Sequence, residues 1–258
     1  MALSKNQIKL ITSLALKKNR DVSSLFVAEG NKLVADLLPL FGCELIAATD
    51  EWIAENKGLI LSVKPASVVP ASKEEIKKAS ALNAPQSVIA VLRKREVRFS
   101  EGMLAGCLTL MLDTVQDPGN LGTIIRIADW FGIRNIICSK ETADVYNPKV
   151  VQASMGAVGR VALHYCDLCA FVDGLKGKYP LFGTFLDGEN IYGRSLPQEA
   201  IIVMGNEGNG ISDALAEKIT DRLLIPNYPA GEETSESLNV AVATAIVCSE
   251  FRRRVIVV

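Results

Sequence analysis

The sequence predicts an α/β protein in two units, a small basic one followed by a larger one with a parallel sheet. Three observations carry this reading. Short apolar runs alternate with helical stripes along most of the 258 residues. The alternation breaks in one place, the polar stretch from Arg93-Lys94-Arg95 through Gly102 to Gly106. Charge divides there too: residues 1–95 balance at +5 and the remainder at −6, within a net charge of −1. We therefore expect a small α/β unit over 1–95, a linker over 96–106 and a second unit over 107–258.

In the first unit, Ser4 and Gln7 can form a capping box ahead of a helical stripe of Ile8, Leu10, Ile11, Leu14 and Leu16. Strands are expected at Leu25–Ala28, Leu45–Ala48, Leu59–Val63 and Val88–Leu92. Helices are expected around Lys32–Leu38, Asp50–Glu55 and Ser72–Ser80, the last opened by Ser72 and Glu75. Lys5, Lys9, Lys17, Lys18 and Arg20, with no acid among the first twenty residues, suggest a polyanion-docking face. A solvated helix face followed by a turn explains the same charges and, on charge alone, is the favoured reading.

The second unit repeats the alternation with more continuous apolar strands, the pattern of a parallel sheet covered on both faces. These are Leu108–Leu112, Asn135–Cys138, Arg160–Tyr165, Leu181–Phe185, Ala200–Met204 and Arg222–Ile225. Helices are expected at Asn120–Phe131, Pro148–Ala157, Asp167–Lys176, Ser212–Lys218 and Leu238–Arg254. The apolar share of 49% supplies ample core. No apolar run approaches the roughly 20 residues of a membrane span. The N-terminus lacks the apolar core of a signal peptide, so the expectation is a soluble, cytoplasmic protein without membrane association. Six scattered cysteines fit that compartment. Cys166 and Cys169 form a CxxC without the second pair or histidine cluster of a zinc site, and His164 is the single histidine.

Three strand-to-helix junctions carry unusual chemistry. In the first, Asp113 to Arg126, Asn120 is suited to cap a helix, Gly122 permits close approach of another backbone, and Arg126 lies off the apolar face. The second, Gly205-Asn206-Glu207-Gly208-Asn209-Gly210, is glycine-rich and ends at Ser212, a helix cap. It is neither a Walker loop nor GxGxxG, and Glu207 would repel phosphate, so it suits a ligand bearing hydroxyls or positive charge. In the third, Ile225-Pro226 leads through a polar loop to Ser237-Leu238-Asn239 and a helix of small apolar residues, where Ser237 or Asn239 can serve as a cap.

Together these junctions resemble the three ordered motifs of the SpoU (TrmH-type) RNA ribose 2′-O-methyltransferases, members of the trefoil-knotted SPOUT class. The resemblance rests on Asp117-Pro-x-Asn120-x-Gly122-x-x-x-Arg126-x-x-x-x-Phe131-Gly132, on Met204-Gly205-x-Glu207-Gly208-x-Gly210, and on Ile225-Pro226 with Ser237-Leu238-Asn239-Val240. The N-terminal Leu25-Phe-Val-Ala-Glu29-Gly30-x-Lys32-Leu33-Val34 resembles the small RNA-binding domain that precedes the catalytic one in many members. The stretch between Pro226 and Ser237, with Pro229, Gly231, Glu232 and Glu233, is longer than in typical members.

The resemblance implies a C-terminal trefoil-knotted domain whose threaded segment is the helix Leu238–Arg254. It implies S-adenosylmethionine as methyl donor, bound through Gly205, Ile225 and Leu238. Arg126 would activate the ribose 2′-hydroxyl, Asn120 and Glu207 would fix Arg126 and the ribose, and Ser237 and Asn239 would orient substrate and cofactor. No metal is required. A homodimer would complete each site with a partner's arginine, and RNA would dock on the basic N-terminal domain. Ribosomal RNA of the 23S type is favoured over tRNA because the appended domain resembles those of rRNA-directed members. The competing readings are a tRNA methyltransferase and a non-catalytic knotted RNA-binding protein.

Overall fold

The computed structural model describes residues 3–229 and 237–253. The chain forms two units, Met1–Glu96 with Asp144–Gly159, and Val97–Ala143 with Arg160–Val258.

The first unit holds a sheet of β1 (Leu25–Glu29), β2 (Cys43–Ala48), β3 (Val68–Pro70) and β4 (Val88–Arg93), in spatial order β1-β4-β2-β3. β4 runs antiparallel to β1 and β2, while β3 is parallel to β2. Both expected capping boxes form, starting the helices Lys5–Ser13 and Lys73–Ala79. Ile11, Leu14 and Ile76 from these helical segments pack on Val27, Leu45 and Val91 of the sheet.

One expected strand is absent. Leu59–Val63 lies in the helix Lys57–Val63, which buries no residue. A short apolar run does not distinguish strand from helix by periodicity, and the strand that pairs with β2 is the later Val68–Pro70.

Residues 144–159, assigned to the second half from sequence, belong to the first unit. The helix Pro148–Ala153 packs on β1, and the Tyr146 ring lies 4.7 Å from that of Phe26. A Cβ at Gly159 would lie 2.4 Å from Leu40 Cδ1, so any side chain there requires Leu40 to shift. The Arg20 guanidinium donates to Asp144 at 2.7 Å and to the carbonyls of Leu14 and Ala15, both at 2.8 Å. Arg20 is thus an internal tie and is withdrawn from any docking face, whereas Lys5, Lys9, Lys17 and Lys18 are exposed.

The second unit holds six strands: β5 (Leu108–Leu112), β6 (Asn135–Ser139), β7 (Ala162–Cys166), β8 (Leu181–Asn190), β9 (Ala200–Met204) and β10 (Asp221–Leu224). Their order is β10-β8-β9-β5-β6-β7, and every neighbouring pair is parallel. β5, β6 and β9 are buried along their whole length, as strands covered on both faces must be. The chain leaves β5 toward β6 and β7 on one side, and returns to β8 and β9 on the other. The carboxyl ends of β5 and β9 therefore flank a topological switch point, where open α/β sheets bind ligands. Among the described residues no helix is long and apolar enough to cross a membrane.

Candidate active site

At the end of β5 the chain turns into the helix Pro118–Trp130. Its N-cap is Asp117, whose carboxylate accepts from the Asn120 amide nitrogen at 2.8 Å, with Pro118 preset for the first turn. Asn120 is therefore not the cap expected from sequence. Relieved of that task, its side chain donates to Glu207 Oε1 and accepts from Asn239 Nδ2, each at 2.9 Å. Leu121, Ile124, Ile125 and Ala128 bury the opposite face, and Gly132, at φ +67°, ends the helix in the left-handed region. Arg126 is exposed and makes no hydrogen bond or ion pair among the described residues.

After β9 the glycine-rich loop doubles back. Asn206 and Gly210 exchange backbone hydrogen bonds at 2.8 and 3.0 Å. Gly205 is required by this fold-back, because a Cβ would lie 2.1 Å from the Gly210 carbonyl carbon. The Asn206 side chain donates to the Thr114 carbonyl at 2.8 Å and accepts from the Gly208 and Asn209 amides. Ser212 precedes the helix Asp213–Ala216 without a side-chain cap bond. Its hydroxyl and its amide instead donate to Asp113 Oδ2 at 2.6 and 2.8 Å.

The third junction opens the helix Val240–Arg253. Asn239 Oδ1 accepts from the amides of Ala241 and Val242 at 3.0 and 3.3 Å, so this residue is at once a helix cap and a partner of Asn120. Gly231, Glu232 and Glu233 of the lengthened loop, and Arg254 of the expected last helix, lie outside the described residues.

A cavity of about 490 Å³ opens at these strand ends, lined by Gly205, Glu207, Ile225, Ser237 and Leu238 among others. Its size lies in the range of small-ligand pockets. Phe185, Leu186 and Met204 extend the apolar wall, and the Arg222 guanidinium stacks 3.5 Å over the Phe185 ring. Of the eight residues singled out from sequence, these five line the cavity, Asn120 and Asn239 join Glu207 in one hydrogen-bonded line, and Arg126 stands apart from that line. Sequence reasoning assigned no role to Asp113 or Asn206. The available signal was a polar residue just past an apolar strand, Asp113 directly after β5 and Asn206 one glycine after β9.

His164 is buried, its Nε2 lies 3.2 Å from Asn135 Oδ1, and desolvation lowers its pKa from the ordinary 6.5. Burial likewise raises the thiol pKa of Cys138, the setting of an unreactive core cysteine, and that of the half-buried Cys166. Among the described residues no cluster of His, Cys, Asp or Glu is placed to hold a metal ion.

Comparison with known proteins places this geometry. Residues 107–249 match the SpoU rRNA methylase family, and residues 5–90 match the MRM3-like substrate binding domain. The 23S rRNA guanosine-2′-O-methyltransferase RlmP of Bacillus subtilis is 32% identical over 96% of this chain and 97% of its own. A solved structure described as a TrmH-family RNA methyltransferase of Porphyromonas gingivalis is 42% identical and superimposes with a TM-score of 0.84, covering 98% of this chain and 99% of that one. An rRNA methyltransferase of Sinorhizobium meliloti, solved with S-adenosylmethionine bound, is 28% identical with a TM-score of 0.85, covering 99% and 98%.

Proposed function

The chain belongs to the SpoU rRNA methylase family and is an S-adenosylmethionine-dependent RNA ribose 2′-O-methyltransferase; we propose that its substrate is 23S-type ribosomal RNA, methylated in the cytoplasm at a site built from Asn120, Arg126, Glu207, Ser237 and Asn239. The observation that carries this reading is the line Asn239–Asn120–Glu207, which joins three distant loops beside one cavity.

The residues around the cavity fit the methyl donor. The wall at Ile225 and Leu238 is apolar, the loop after Gly205 offers main-chain groups, and the charged side chain present is a carboxylate. That set suits a nucleoside with a positive centre and no phosphate. When bound, S-adenosylmethionine supplies a methyl group activated by its positively charged sulfur. Gly205, Ile225 and Leu238 would hold it.

A ribose hydroxyl is a poor nucleophile at neutral pH, so it needs positioning and relief of the developing negative charge. A guanidinium is a poor base and a good fork of hydrogen-bond donors, so Arg126 serves as an electrostatic activator and positioner. Glu207, oriented by Asn120, accepts from ribose hydroxyls, and Asn239 sets the Asn120 amide so that its nitrogen faces Glu207. Ser237, at the cavity wall, orients the substrate.

The exposed lysines of the first unit offer contacts for RNA phosphates, so binding should weaken with salt. A homodimer belongs to the same reading. Trp130 is 85% exposed one helical turn beyond Arg126. A large exposed ring there suits an isologous contact, and Trp130→Glu is expected to convert a dimer to monomers in sedimentation. The threaded C-terminal knot is part of the proposal too.

Methyl incorporation from labelled S-adenosylmethionine into RNA of cells lacking this gene tests the assignment. The expected product is one 2′-O-methylated nucleotide in 23S-type ribosomal RNA. Incorporation confined to tRNA overturns the substrate, and incorporation into no RNA favours a binding protein.

A further inference from the structure

Asp113 has no place in the machinery above, yet it is one of few buried carboxylates, 6% exposed at the end of β5. Its Oδ2 accepts from both the amide and the hydroxyl of Ser212, at 2.8 and 2.6 Å, and its Oδ1 accepts from the Thr114 hydroxyl at 3.1 Å. The next residue, Thr114, is held at φ +60°, a conformation costly for a β-branched residue. Two tertiary bonds hold it there: its amide donates to Ser139 Oγ at 3.0 Å, and its carbonyl accepts from Asn206 Nδ2 at 2.8 Å. The dipeptide Asp113-Thr114 thus grips the glycine-rich loop at both ends, Asn206 at the start and Ser212 at the finish. Between those points lie Glu207 to Ile211, all lining the cavity.

From this we infer that Asp113 is a positioning residue for cofactor binding: with Thr114 it forms a strap that pre-shapes the Asn206–Ser212 loop before the methyl donor arrives. The inference rests on the reading of the cavity as the S-adenosylmethionine site. With two glycines and two asparagines, and with only Asn206–Gly210 and Asn206 side-chain bonds of its own, this loop gains order from the strap, and ordering it only on binding would cost affinity. Bonds to a buried carboxylate are stronger than neutral ones, so an amide in its place holds the Ser212 amide and hydroxyl less firmly.

The test measures S-adenosylmethionine affinity by calorimetry, steady-state kinetics, and hydrogen exchange of the loop amides in the ligand-free protein. Asp113→Asn is expected to raise Kd and KM for S-adenosylmethionine about tenfold, with kcat at saturation and KM for RNA changed far less. Exchange at Gly208 to Ile211 should quicken in the same variant. Ser212→Ala should show a smaller effect of the same kind, Ser212→Thr should restore affinity, and Asp113→Asn with Ser212→Ala should be no worse than Asp113→Asn alone. Unchanged affinity and unchanged exchange in a folded Asp113→Asn overturn the strap, as does full additivity with Ser212→Ala. Faster exchange in Asp113→Asn, combined with a wild-type protein that binds no S-adenosylmethionine, overturns the cofactor reading and leaves the strap standing.

Discussion

Arg20 lies on the helix Lys17–Ser23 of the first unit and Arg126 on the helix Pro118–Trp130 of the second. In the sequence each is a cation in a short helical segment. Arg20 is 1% exposed, with its guanidinium divided between Asp144 and two main-chain carbonyls. Arg126 is exposed and lacks a partner among the described residues. A guanidinium whose donors are satisfied internally holds structure. One whose donors are free is available to a substrate or a second subunit. The two units differ in the same way: the first uses charge to close itself around residues 144–159, and the second keeps polar groups at its strand ends for chemistry.

The sharpest way to break this contrast is to remove both side chains in turn. Arg126→Ala is expected to lower methyl transfer by about two to four orders of magnitude, with the melting temperature nearly unchanged because the residue is exposed. Retained activity would remove Arg126 from the mechanism. Arg20→Ala should do the reverse, costing about 3–5 kcal/mol in denaturant unfolding, since it strands the Asp144 carboxylate. Adding Asp144→Ala should recover part of that loss, and full additivity would show that the pair is not coupled.

The asparagines sharpen the comparison within the site. Asn120→Ala should reduce the rate about tenfold while leaving stability intact, because Asp117 and not Asn120 caps the helix. Asn239→Ala should reduce the rate as well and also destabilise by about 1 kcal/mol, because it removes a cap. Equal stability losses in the two variants would contradict this division of labour.

The smallest effect concerns pH. His164 has a folded pKa below the ordinary 6.5 because burial disfavours its charged form. Its contribution to stability is complete above 6.5 and is lost as pH falls toward the folded value, since the unfolded chain binds the proton first. The slope is at most about 1.4 kcal/mol per pH unit. His164→Gln should flatten the fall in melting temperature between neutral and mildly acidic pH; an unchanged curve would place the titrating group elsewhere.

Much of this molecule was legible in its sequence, because the relevant signals are local. Continuous apolar runs marked β5 and β9 to the residue, Ser4 with Gln7 and Ser72 with Glu75 marked two helix starts, and the order of Asn120, Glu207 and Asn239 in three junctions marked the family. The failures were also physical. Leu59–Val63 is apolar whether it forms strand or helix, and only pairing with β2 decides which segment becomes the strand. Asn120 and Asp117 are both good caps, and only the fold chooses between them.

By itself, then, the amino-acid order determined most of the strands and helices and the residue types at each loop, since these depend on neighbours a few positions away. Tertiary structure decided which polar groups are occupied and which are free. Asn120 finds its partners 87 and 119 residues away, and Arg20 finds Asp144 124 residues away. Contacts of that range exist only once the sheet has brought its strand ends together.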